Sequence, residues 1–284
     1  MPRLRALAIL VAFLILVVGA IPWQLFSVRF KLKRRRTFPM RFHRVLAKLF
    51  GLRITVIGKP IRDRGVLMIA NHTSYFDILI MSTLVPASFV AKSEVKRWPL
   101  FGLLAQLQES VFVERQRRSQ SIEARDELRE RLRDGDTVML FPEGTSTDGN
   151  RVLSFKSSLM GAAEAEVGTD DTGHVRTVPV QPVSISYVAM HGIPMGRENR
   201  PLYAWYGDME LLPHLWEALV AGPLDVVVEF HEPLFATSTG GRKNLAVLAE
   251  AVVRRGMVRS LNGKGVPSRK EAGLGGKKAA AAAA

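Results

Sequence analysis

From Ala6 to Val28 the chain runs through 23 residues without a formal charge, almost all of them apolar. As a helix rising about 1.5 Å per residue this segment is about 35 Å long, against about 30 Å for bilayer hydrocarbon, so it reads as a membrane helix. Pro22 lies near its end, where a kink costs least, and Trp23 suits a membrane–water interface. Directly after it comes RFKLKRRR, residues 29–36, with Arg29, Lys31, Lys33, Arg34, Arg35 and Arg36. This cluster outweighs Arg3 and Arg5, so the expected location is the inner or plasma membrane, with the rest of the chain facing the cytoplasm. Two rival readings stay open. One is a signal peptide cleaved after Val18-Gly19-Ala20, which the dense basic cluster opposes; the other is a helix that enters and leaves a single leaflet. The stretch FPMRFHRVLAKLFG, residues 38–51, supports the second. Phe42, Val45, Leu46, Leu49 and Phe50 recur there at helical spacing, with Arg41, Arg44 and Lys48 between them. Such a basic amphipathic helix lies on a membrane or packs its apolar stripe on a soluble domain.

Charge narrows the partners. Forty Lys+Arg against 26 Asp+Glu gives +14 over 284 residues, which calls for an anionic partner. The positive charge is concentrated beside the apolar helix and in the tail, and no nucleic-acid recognition motif accompanies it, so membrane lipid is expected and nucleic acid is not. The absence of cysteine excludes disulfides, thiolate metal sites and a cysteine nucleophile. No bound metal or cofactor is expected.

After Gly51 the pattern becomes globular. ITVIG (54–58), GVLMIAN (65–71), ASFVAK (87–92), SVFVER (110–115) and TVMLF (137–141) read as strands, the second a continuous apolar run of the kind buried on both faces. TVPVQPVSISY (177–187) reads as a strand broken by two prolines, and LYAWYGD (202–208) and DVVVEF (225–230) complete the set. Helices are expected from about Ser74 to Leu84 with Thr73 or Ser74 as cap, near 101–107, and over 119–135 with serine caps, a Glu127/Arg131 pair and Gly135 as stop. Three more are expected over 155–166, 210–221 and 243–260. Strands alternating with helices predict an α/β fold with a mostly parallel sheet flanked by helices, behind the hydrophobic and amphipathic N-terminal helices. The expected organisation is an anchor over 1–51, a globular domain over 52–262, and a disordered basic Ala/Gly tail over 263–284.

Two short segments carry chemistry. In NHTSYFD (71–77), His72 and Asp77 are five residues apart, about 140° around an ideal helix, so one regular helix face cannot hold both. They meet only if His72 sits in the turn before a helix and Asp77 reaches back from inside it. An imidazole oriented by a carboxylate is a general base for an alcohol; the bland alternative is a loop hydrogen bond. In FPEGTS (141–146), Glu143 is a carboxylate on the buried side, Gly144 permits positive φ, and Thr145 and Ser146 can cap the next segment; the bland alternative is a Pro-Gly turn.

The blocks NHTSYFD, VFVER (111–115), FPEGTS and VPVQPV (178–183), in this order, resemble the four-block signature of the lysophosphatidic acid acyltransferase family. FVAKSEV (89–95) and LSFKSSLMGAA (153–163) agree with the family's flanking segments, and the resemblance spans about residues 50 to 230. It implies an α/β enzyme behind membrane helices that acylates the free hydroxyl of a lysolipid, with acyl-CoA or acyl-carrier protein as co-substrate. His72 would be the base and Asp77 its orienting partner. Lys92, Arg115 and Lys156 would neutralise phosphate or headgroup, and Glu143, Gly144, Thr145 and Ser146 would line the acceptor site. The chain departs from the pattern in two places. Glu114 stands where aspartate is usual, and Ser146, followed by Thr147 and Asp148, stands where family members that use a glycerophosphate acceptor carry arginine. At this point the chain resembles bacterial relatives that acylate lyso-ornithine lipid, so lysophosphatidic acid and lyso-ornithine lipid both stay open as acceptors, with Asp148 placed to face an ammonium in the second case. A different class, a membrane-tethered basic lipid-binding protein with a degenerate site, is opposed by the intact His72/Asp77 pair. His43, His174, His191, His214 and His231 read as structural or solvated, and Trp205 and Tyr206 as core aromatics.

Overall fold

The structure, a computed structural model, describes residues 1–114, 118–169 and 175–264. Two N-terminal helices, α1 (Pro2–Arg29) and α2 (Thr37–Leu49), precede β1 (Leu52–Ile57), β2 (Val66–Ala70), α3 (Phe76–Leu84) and β3 (Ala87–Lys92). Then come α4 (Phe101–Leu107), β4 (Val111–Val113), α5 (Arg118–Arg133) and β5 (Thr137–Leu140). A small hairpin of β6 (Glu166–Thr169) and β7 (Val175–Thr177) leads to β8 (Val180–Met190), β9 (Ile193–Pro194), α6 (Leu211–Ala221), β10 (Leu224–Phe230), α7 (Ala236–Thr239) and α8 (Arg242–Leu261). The main sheet has the order β1-β10-β8-β2-β5-β3-β4 and is parallel except where β8 meets β10 and the short β9. This is the expected α/β architecture.

The apolar run of β2 is explained by its position between β8 and β5. Val66, Met68 and Ala70 face one hydrophobic layer, shared with α1, α2, α3 and α6, while Leu67 and Ile69 face the other, shared with α5 and α8. All five are fully buried, so the strand shows no polar alternation.

Several local expectations change. β8 is not broken by its prolines: Pro179 precedes it, and Pro182 sits where its carbonyl accepts the His231 N–H (3.0 Å), just past the last residue of β10. The missing proline N–H therefore points where no ladder partner is required. Residues 202–208 form no strand. Their backbone docks irregularly on the loop before α3, with Trp205 N–H donating to Thr73 O (3.0 Å), and their apolar pattern comes from that docking. The segment expected as a helix over 155–166 is a 3-10 helix, Ser157–Glu164, kinked at Met160. In α5 the Glu127–Arg131 pair forms at 2.6 Å and the chain turns at Gly135 with φ +88°.

The long helix α1 does not stand away from the domain. Near its start the Arg5 guanidinium donates to Leu219 O in α6 (2.8 Å), and near its end Gln24 Nε2 donates to Leu107 O in α4 (2.8 Å). These ties are 19 residues, about 28 Å of helix axis, apart. Between them Phe13 and Val17 are buried, while Leu7, Val11, Leu14, Ile15 and Val18 remain exposed.

Candidate active site

β2 and β5 are parallel neighbours, so the loops leaving their C-terminal ends meet, and these loops carry His72 and Glu143. That is where open α/β sheets form ligand crevices. Asn71 locks the end of β2 to β8: its side chain donates to Ile185 O (2.8 Å) and accepts from Ile185 N–H (2.9 Å). His72 is then held through its backbone. Its N–H donates to Glu143 Oε1 (3.0 Å), and its carbonyl accepts from Thr147 N–H (2.9 Å). The ring stacks on Phe141, with centroids 4.1 Å apart and planes 15° apart, and stays 20% exposed.

Asp77, in the first turn of α3, is completely buried and reaches back over the turn. Its Oδ2 accepts from Thr73 N–H (2.7 Å), Ser74 N–H (3.0 Å) and His72 Nδ1 (2.9 Å); its Oδ1 accepts from the Tyr187 hydroxyl (2.8 Å). The geometry required by the five-residue spacing is present. The cap is different from the expected one, because α3 begins at Phe76 and neither hydroxyl caps it; the carboxylate binds the N–H groups that a cap would leave free. With Nδ1 donating to Asp77, Nε2 carries the lone pair and is able to take a proton from an alcohol.

Glu143 is 1% exposed, and its second oxygen accepts from Leu153 N–H (3.2 Å). It ties the loop after β5 to the loop after β2. Burial pushes its carboxyl up to about 8, against the pull of the two N–H groups. Since the folded-state value lies above the ordinary one, the stability from this group is complete below about 4.5 and is lost as pH rises through about 8. Melting temperature is expected to decline across that interval. Glu143→Gln should flatten the decline and cost about 1–3 kcal/mol at the acid end, because its NH2 group must face one of the two N–H donors. An unchanged slope in a melting series would assign the pH dependence to another group.

An apolar cavity of about 420 Å³ opens beside His72, walled by Phe13 of α1, Phe42 of α2 and Phe50 just after it, and Phe76 and Leu79 of α3. Lys92, Gly144 (φ +76°), Thr145 and Ser146 reach this cavity. Lys156 does not line it; its side chain is exposed, while its backbone N–H donates to Pro142 O (2.9 Å) and its carbonyl accepts from Leu159 N–H (3.0 Å). Arg115 and His174 lie outside the described residues. Ser146 caps no helix: its hydroxyl donates to Trp205 O. Asp148 turns toward its own loop, accepting from Asn150 N–H (3.1 Å) with Arg151 at 3.9 Å.

Trp205 and Tyr206 are half-buried cavity-wall residues and not core aromatics; Trp205 packs edge-on against Trp98 at 5.8 Å. His191, His214 and His231 bond within the scaffold, to Ala221 O (2.8 Å), the Tyr75 hydroxyl (2.9 Å) and the Ser184 hydroxyl (2.7 Å) respectively. His43 lines the cavity. Tyr187 escaped the sequence reading. Its one signal is the alternation Val183, Ile185, Tyr187 on a single strand face, and nothing in that pattern singles out the hydroxyl.

The acyltransferase family model matches residues 53–186. The chain is 44% identical to the lyso-ornithine lipid O-acyltransferase of Brucella abortus (strain 2308), over 93% of this chain and 98% of that protein. It is 45% identical to the lyso-ornithine lipid O-acyltransferase of Rhizobium meliloti (strain 1021), over 86% of this chain and 82% of that protein. Among solved structures, the 1-acyl-sn-glycerophosphate (LPA) acyltransferase PlsC from Thermotoga maritima superposes with a TM-score of 0.63 at 28% identity, covering 91% of this chain and 97% of that one.

Proposed function

The chain belongs to the acyltransferase family, and we propose that it transfers a fatty acyl group from acyl-CoA or acyl-carrier protein to the free hydroxyl of lyso-ornithine lipid, with His72 and Asp77 as the catalytic pair. The observation that carries this reading is the His72 imidazole, its Nδ1 proton committed to a buried carboxylate, on the wall of an apolar cavity. In this reading the donor's acyl chain occupies the cavity and the thioester carbonyl lies beside His72. His72 Nε2 takes the proton of the acceptor hydroxyl as its oxygen attacks the carbonyl carbon. The tetrahedral intermediate then expels the thiolate, which takes the proton from the imidazolium. Asp77 holds the ring's tautomer and offsets the positive charge that develops on it. No serine or cysteine nucleophile is needed.

The acceptor follows from two supports. The most similar relatives reported above carry the lyso-ornithine name, and Ser146 presents no cation where a phosphomonoester would call for one. Its hydroxyl is already bonded to Trp205 O. Asp148, held by its own loop, is not the ammonium contact in this reading. The test is a side-by-side assay of lyso-ornithine lipid and lysophosphatidic acid under one acyl donor. Preference for lyso-ornithine lipid is expected, and a clear preference for lysophosphatidic acid would overturn the acceptor assignment.

The membrane part of the proposal rests on α1. A helix tied to the domain at both ends suits one that lies along a leaflet with its exposed apolar side in lipid, and the exposed Arg29, Lys33 and Arg34 sit at its end. Ile15→Lys combined with Val18→Lys, at positions 67% and 69% exposed, is expected to release the protein from vesicles without unfolding it. Each lysine costs about 2.5–3.5 kcal/mol in hydrocarbon. Undiminished vesicle binding would move the anchor elsewhere.

A further inference from the structure

Among the aromatic and aliphatic groups that wall the cavity on α2, one is polar. His43 shares the inward face of that helix with Leu46, Ala47 and Phe50, at spacings of three, four and seven residues. Its Nδ1 lies 2.7 Å from Pro39 O. A carbonyl only accepts, so Nδ1 bears the hydrogen and Nε2 is left with a lone pair. No group among the described residues hydrogen-bonds Nε2. Burial lowers the basicity of the ring, which keeps that lone pair free. Nε2 is open to the cavity and not sealed among protein atoms, so an apolar chain filling the cavity would leave it an unmet acceptor, which is costly unless the chain itself donates to it.

The position of His43 along the cavity is set by α3. Phe50, at the far end of α2, packs edge-on against Phe76 at 6.3 Å, next to Asp77. Arg44, adjacent to His43, donates to Thr83 O near the other end of α3 (2.9 Å). The two helices therefore run in opposite directions, and His43 lies seven residues, about 10 Å of helix, beyond Phe50 and away from His72.

We infer that His43 Nε2 is a hydroxyl-recognition point in the chain-binding cavity, accepting a hydrogen bond from a donor acyl chain that bears a hydroxyl well away from its thioester. This rests on the reading above that the cavity holds the donor's chain. An unsubstituted chain leaves Nε2 unpaired. A hydroxyl close to the thioester falls short of it.

The test compares kcat/KM for acyl-CoA donors of one length: unsubstituted, 3-hydroxylated, and hydroxylated at successive mid-chain carbons. One mid-chain donor is expected to exceed the unsubstituted one by about five- to tenfold. His43→Leu should bring that ratio to one or below, while His43→Gln, which keeps an acceptor oxygen, should retain part of it. In parallel, displacement of a fluorescent fatty acid by the matching free hydroxylated and plain fatty acids reads the same ratio without catalysis. Equal use of all donors by the wild type, or a preference that survives in His43→Leu, overturns the inference. A His43-dependent preference in displacement with no transfer from any donor would instead uphold the recognition point and overturn the acyl-transfer reading.

Discussion

Replacing His72 with alanine is expected to lower acyl transfer by about 10²- to 10⁴-fold, the usual contribution of a positioned general base. The fold should persist. His72 is 20% exposed, and its removal loses one ring stack on Phe141 and one hydrogen bond, a cost of about 1–2 kcal/mol. Asp77 would still accept from Thr73 N–H, Ser74 N–H and Tyr187, so the turn that shapes the site stays closed. Transfer rates and melting curves on the same preparation check both halves. Activity within tenfold of wild type, with an unchanged melting temperature, would remove His72 from the base role.

Asp77 is expected to separate two functions that one carboxylate performs. Asp77→Ala strands two buried N–H groups and the Tyr187 hydroxyl, at about 1–3 kcal/mol each, and so is expected to cost roughly 3–9 kcal/mol, a large part of a typical domain's stability. Asp77→Asn should stay folded. An amide oxygen in the place of Oδ2 keeps the three donors there, and the Tyr187 hydroxyl can accept from the amide NH2. Its turnover should still fall by about 10³- to 10⁴-fold, because no negative charge then balances the imidazolium. Melting curves for Asp77→Ala and kcat for Asp77→Asn read the two effects apart. Wild-type turnover in the folded asparagine variant would reduce Asp77 to a turn-forming residue.

Glu143 and Tyr187 show where sequence reading stops. Glu143 belongs to a six-residue block whose position after an apolar strand places it on the buried side of the sheet's C-terminal edge. Tyr187 is 110 residues away from Asp77 in the chain, and only the pairing of β8 beside β2 brings its hydroxyl to the carboxylate. Trp205 and Tyr206 are ambiguous for the same reason: an aromatic pair in an apolar segment has one composition whether it fills a core or walls a cavity. His43 differs from the other scaffold histidines only through the helix face it occupies and the cavity on which that face closes.

What the sequence by itself determined is local and periodic. The uncharged run of α1, the doubly buried strand β2 and the need for His72 to precede the helix containing Asp77 each follow from the spacing of a few neighbouring residues. Tertiary structure alone decided how α1 lies, because the bonds from Arg5 to Leu219 and from Gln24 to Leu107 join residues 214 and 83 positions apart. It also decided that Asp77, and not a hydroxyl, closes the turn before α3, and that two N-terminal helices wall the cavity beside His72. The physical reason is that periodicity reports which side of an element avoids water, whereas the identity of what covers that side is a property of elements far apart in the chain.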